Sequence, residues 1–153
     1  MVKFISTWVL VADAARARIF KWSDFQGPLE EVQDLLNPEG RLKDGELASE
    51  RPGVSYSSAG HQSGRRMQAP SMADTAADAF ARTLAEELKK GLDGKACDRL
   101  VIAAPPEFLG LLRSHLDRRT EKAVAASMDS DLTRESADAI LSRLPKLPNL
   151  PAG

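Results

Sequence analysis

Five aspartates stand where a metal-dependent hydrolase would want carboxylates: Asp13, Asp74, Asp78, Asp129 and Asp131. Metal-assisted hydrolysis needs several acidic side chains converging on and beside central strands. Each of these aspartates also suits a structural task. Asp13 ends a strand, and Asp129 and Asp131 fall in the turn before the last helix. Asp74 and Asp78 open a helix, where the positive end of the dipole favours them. None lies in mid-strand, so a hydrolase or nuclease ranks last among the functions. His61 and His115 are the two histidines, and neither has a cysteine or acidic residue at metal-ligand spacing. His115 is expected on the solvated side of its helix. Cys97 stands alone just before a strand, so no internal disulfide can form, and a reducing compartment, the cytoplasm, follows most simply. Nucleophile elbow, P-loop and dinucleotide fingerprint are all missing. The sequence therefore assigns no catalytic residue, no metal ligand and no cofactor.

Residues suited to binding are easier to find. Arg65 and Arg66 follow Gly64 in a loop that also carries Tyr56 and His61. Arginine forks on a glycine-bearing loop suit phosphate backbones. Arg113, Arg118, Arg119 and Lys122 form a second basic group, which a cation-rich helix C-terminus also explains. In the tail LPKLPNLPAG, Leu144, Leu147 and Leu150 recur every third residue, as do the prolines. A polyproline II helix turns once in three residues, so the leucines would line one edge and could dock on a partner or on the domain itself.

Composition bounds these readings. The chain has 153 residues, 42% hydrophobic and 28% charged, with a formal net charge of -1. That length suits one domain, and the charge argues against a whole-surface nucleic-acid binder while leaving room for a local basic patch. Lys3 followed by FISTWVLVADA loosely mimics a signal peptide, but one lysine and the interrupting Ser6 and Thr7 suit a first strand better. No run approaches the roughly 18 apolar residues of a membrane span.

The elements that must position these residues read as follows. WVLVA at 8–12 is a strand buried on both faces, and ARIFKW at 17–22 a second, joined to it by a tight connection and so antiparallel. LEEVQDLL at 29–36 fits helical spacing through Leu29, Val32 and Leu36, yet its length and the Asn37-Pro38 stop favour a third meander strand. Residues 38–71 form a long loop rich in Gly, Ser, Pro and Arg, of the kind that is usually either functional or disordered. A helix spans about 73–90, with Ala76, Ala77, Phe80, Leu84 and Leu88 on one face, ended by Gly91 or Gly94. LVIAA at 100–104 is a buried strand stopped by Pro105-Pro106. A helix follows at once, Pro106 costing no hydrogen bond in its first turn. KAVAASM at 122–128 is a fifth strand. Thr133 reads as the N-cap of the last helix, with Leu132 and Ala137 as a hydrophobic staple.

The fold class is therefore α/β: a mixed sheet of about five strands with three helices, an antiparallel meander followed by two helix-linked parallel strands, as in ribonuclease H-like folds. It makes a single domain over 1–144, with a proline-rich tail at 145–153. VLVADAARARIF, SERPGVSYSS, LVIAAPPEFLGLLRSHL and DLTRESADAI, taken together, resemble the bacterial family of proteins required for attachment to host cells, itself related to the central domain of eukaryotic and archaeal peptide-chain release factor 1. In release factors the corresponding loop holds Gly-Gly-Gln, which enters the ribosome. Here it holds Gly60, His61 and Gln62, the second glycine being replaced by a residue with a β-carbon and less backbone freedom. The resemblance implies a protein that acts by binding, with the ribosome or structured RNA as partner through Gly60, His61, Gln62, Arg65 and Arg66. A protein-interaction module supporting attachment indirectly is the alternative. Salt separates the two, because binding to RNA weakens steeply as salt rises and binding through an apolar interface does not.

Overall fold

A computed structural model describes residues 6–22, 28–37 and 72–145. The long loop with Gly60, His61, Gln62, Arg65 and Arg66 lies outside the described residues, as do Leu147 and Leu150 of the tail.

Five strands form one sheet in the order β3-β2-β1-β4-β5. β1 (Thr7–Ala12) pairs antiparallel with β2 (Arg16–Trp22), from Thr7 opposite Trp22 to Ala12 opposite Ala17. β2 pairs antiparallel with β3 (Glu30–Leu36). β4 (Arg99–Ala103) runs parallel to β1, and β5 (Val124–Met128) parallel to β4. The central position of β1 explains its uninterrupted apolar run, because Val9 to Ala12 are at most 1% exposed. Asp13 closes the β1–β2 turn. Its Oδ1 accepts from the backbone N–H groups of Ala15 (2.8 Å) and Arg16 (2.9 Å), an aspartate turn that replaces ladder bonds.

Helices cover both faces. α1 (Met72–Asp93) lays Ala77, Phe80, Ala81, Leu84, Leu88 and Leu92 over Leu10, Ile19, Leu100 and Ile102 of the sheet. Gly91 allows the closest approach: a β-carbon there would lie 2.4 Å from the Trp8 ring. The helix runs through Gly91 and stops at Asp93, and the left-handed residue after it is Lys95 (φ 62°). α2 (Pro106–His115) begins on the double proline, Pro105 standing in the cap position. Its Phe108 ring packs against Phe80, centroids 6.1 Å apart. On the opposite face, α4 (Ala137–Arg143) sets Ile140 against Val9, Val11, Phe20, Trp22 and Val101.

Two expectations need correction. A fourth helix, α3 (Arg118–Ala123), stands where loop and strand were read, so β5 starts at Val124 and not at 122. Asp117 creates it, its carboxylate accepting from Thr120 N–H at 2.7 Å. Ser136, not Thr133, caps α4, accepting from Ala139 N–H at 3.1 Å. That shift moves Leu132 out of staple register, and it is buried in the sheet-facing cluster instead. The third strand, the helix after the double proline and the five-strand mixed sheet stand as read.

Candidate functional site

Thr133 is fully buried and holds the turn at 131–136 against the open side of the β2–β3 ribbon. Its N–H and hydroxyl both donate to Asp131 Oδ1, at 3.0 and 2.7 Å, and the hydroxyl also lies 3.3 Å from Asp13 Oδ2. Its carbonyl accepts from Arg16 Nη2 at 2.8 Å and from Arg18 Nη1 at 3.0 Å. Arg18 Nη1 also donates to the Glu135 carbonyl at 2.7 Å. The rest of the Arg18 fork grips Glu31: Nε to Oε2 at 3.0 Å and Nη2 to Oε1 at 3.1 Å. The guanidinium stacks 5.0 Å from the centroid of Phe20. The planar five-donor cation makes four bonds here, two of them a fork on one carboxylate, and an ammonium with three donors cannot reproduce that set.

Between this turn and the ribbon lies an open groove of about 580 Å³, lined by Arg16, Arg18, Glu31, Asp34, Leu36 and Arg134 among others. Its charges are linked. The Glu31 carboxylate raises the Arg18 guanidinium above its ordinary value through their hydrogen bond, and the same bond lowers Glu31. Asp34 is held above the usual aspartate value, first by its hydrogen bond with Glu31 and then by desolvation. The groove therefore presents a carboxylate pair beside arginines committed to holding the turn.

The rim of the groove is the edge of the sheet. Ile19 pairs with Gln33 and Phe20 with Glu31, so Val32 is the extra residue of a β-bulge. Val32 is 44% exposed and Leu36 60%. No described residue pairs with the outer edge of β3, the last strand on that side.

The other residues singled out by chemistry are placed as follows. Asp13 and Asp131 serve the Thr133 turn. Asp78 accepts from Arg82 at 3.7 Å and meets His115 Nε2 at 2.9 Å. His115 is thus half-buried against α1, not solvated, because α2 ends where its last turn crosses α1. Cys97 is buried, and burial pushes its thiol up to about 12, so it is packing. Among the described residues no group of three or more His, Cys, Asp or Glu side chains could hold a metal ion, and no helix is long and apolar enough to cross a membrane. The basic group is split by the break between α2 and α3. Arg113 faces Glu121 at 3.8 Å and Arg119 meets Asp93, while Arg118 and Lys122 are exposed. Leu144 is half-buried against the α4-side cluster. The sequence reading missed Arg16, Arg18, Glu31 and Asp34, because their partners lie up to 117 residues away.

A mixed sheet in this order, with a charged groove beside an edge strand, defines a mixed α/β domain. Residues 8–144 match the family described as "Protein required for attachment to host cells", and the chain belongs to that family. No curated protein matches it. Among solved structures it is similar to an archaeal protein (16% identity, TM-score 0.43, covering 84% of this chain and 31% of that one). An archaeal translation termination factor is similar at 14% identity and TM-score 0.48, covering 91% of this chain and 35% of that one. A Ppx/GppA phosphatase from Aquifex aeolicus is similar at 10% identity and TM-score 0.36, covering 81% and 35%. The chain spans about a third of the length of these solved structures.

Proposed function

We propose that this protein serves attachment by binding a protein partner in the cytoplasm and turns over no substrate. The open edge of β3 carries the reading, with Val32 and Leu36 exposed beside the Glu31–Asp34 groove. Such an edge offers backbone donors and acceptors together with apolar side chains, which is what a partner segment needs. The commitment of Asp13, Asp78, Asp117 and Asp131 to turns, a cap and ion pairs supports binding over hydrolysis.

A second reading takes structured RNA or the ribosome as the partner. The exposed Arg118 and Lys122 favour it, with Arg65 and Arg66 of the loop as further phosphate contacts and Gly60, His61 and Gln62 beside them. Co-sedimentation with ribosomes across a salt series separates the two. Protein binding predicts no pelleting that depends on Arg65 and Arg66. RNA binding predicts pelleting whose salt slope falls by about two units when both arginines become alanine, about one per lost phosphate contact.

A further inference from the structure

We propose that the outer edge of β3 accepts an extended cationic segment of a partner protein as a sixth strand, its basic side chains meeting Glu31 and Asp34 on the groove face. The inference rests on the protein-binding reading above and adds the chemistry of the partner. Strand addition draws affinity from main-chain hydrogen bonds and specificity from the side chains along the edge. β3 is one of the two terminal strands of the sheet, and nothing among the described residues pairs with its outer side. Its seven residues, EEVQDLL, carry three carboxylates and no cation.

Charge selects the occupant. Opposite charges on neighbouring strands stabilise pairing, and like charges directly opposite or diagonal oppose it. A second copy of this chain, paired antiparallel about Gln33, would bring three carboxylates from each strand onto adjacent strands. Within the sheet Arg18 bridges Glu31 and lies opposite Asp34, and Lys21 lies opposite Glu30, while Arg18 is also held by the Thr133 and Glu135 carbonyls. A segment bearing Lys or Arg at alternate positions meets the opposite sign. Register places the groove-facing residues: Asp34 lies opposite Arg18 and Leu36 opposite Arg16. Cationic side chains on that face would reach Asp34 and Glu31, and an apolar one would cover Leu36. The same acidic edge that admits a basic strand discourages pairing with itself.

The test uses the full chain and a dye-labelled peptide of about eight residues, enough to span one strand, alternating lysine and valine. A peptide of equal charge with proline replacing the valines removes backbone donors, and a glutamate-valine peptide reverses the charge. The lysine-valine peptide is expected to bind and to shift the amide resonances of Glu30–Leu36, while the two controls bind weakly or not at all. Asp34→Lys and Leu36→Ser, both at exposed positions on the groove face, should each weaken binding about tenfold or more. Equal binding of the proline peptide, or shifts confined to other elements, would overturn the proposal, since charge alone would then explain the affinity. Failure of the peptide while the protein still captures a nuclease-resistant partner would overturn the edge assignment and leave the protein-binding reading standing. Peptide binding at β3 with only nuclease-sensitive capture would do the reverse.

Discussion

Two glycines in helices make opposite demands. At Gly91 a β-carbon meets the Trp8 ring at 2.4 to 2.9 Å, whereas at Gly110 nothing lies within 4 Å. Gly91→Ala should therefore cost about 1–3 kcal/mol through overpacking, despite the better helix former. Gly110→Ala should gain up to about 1 kcal/mol of helix propensity. Denaturant titration of both variants checks the pair, and the same sign for both would refute the packing argument. Arg18 is the residue on which the groove hangs. Arg18→Lys keeps the charge and loses the fork, so it should destabilise by about 1.5–3 kcal/mol, close to the cost of Arg18→Ala. A lysine variant as stable as the wild type would mean that charge alone holds the turn. Asp34 and Glu31 respond to pH with opposite signs. Glu31, lowered by Arg18, contributes stability that is present above its unfolded value and lost as pH falls through the folded one. Asp34, raised chiefly by Glu31, contributes stability below its unfolded value that is lost as pH rises through the folded one. Asp34→Asn should therefore melt at or above the wild-type temperature at neutral pH, with the advantage shrinking through the acid carboxylate range. Melting curves across that range decide it, and an advantage independent of pH would contradict the assignment.

At the scale of elements, α3 depends on one cap. Asp117 lies below its ordinary value because it accepts from Thr120, and Lys89 approaches it at 3.7 Å. Asp117→Ala should destabilise α3 and release amide exchange in Arg118–Ala123 before the rest of the domain. Uniform exchange across all helices would deny α3 its separate standing. The elements also show what was legible in the chain. WVLVA, ARIFKW and LVIAA announced buried strands through apolar runs, and the double proline announced α2. α3 was not legible, because RRTEKA carries no apolar stripe and its one signal, Asp117, follows directly on a helix. The cap of α4 was misplaced because Thr133 and Ser136 are both good caps, and only the burial of Thr133 among Asp13, Asp131 and two arginines separates them. The groove was invisible for a related reason. Arg18 and Glu31 look like ordinary alternating surface residues, and the bonds from Arg18 to the 131–136 turn depend on how the sheet closes. The bulge that exposes Val32 is likewise a product of pairing, not of local sequence.

For the whole molecule, helices cover both faces of the sheet, and the β3 edge carries the groove, the carboxylates and the exposed apolar residues together. The proposed binding reading rests on this edge, where backbone, charge and hydrophobicity coincide. The most direct measurement is affinity capture from cell lysate with the wild-type chain and with an Asp34→Lys, Leu36→Ser double variant, each with and without nuclease treatment. The account predicts a protein species retained by the wild type after nuclease treatment and lost by the double variant, with both chains equally folded by circular dichroism. A species that disappears with nuclease, or one that the double variant retains as well as the wild type, would contradict it.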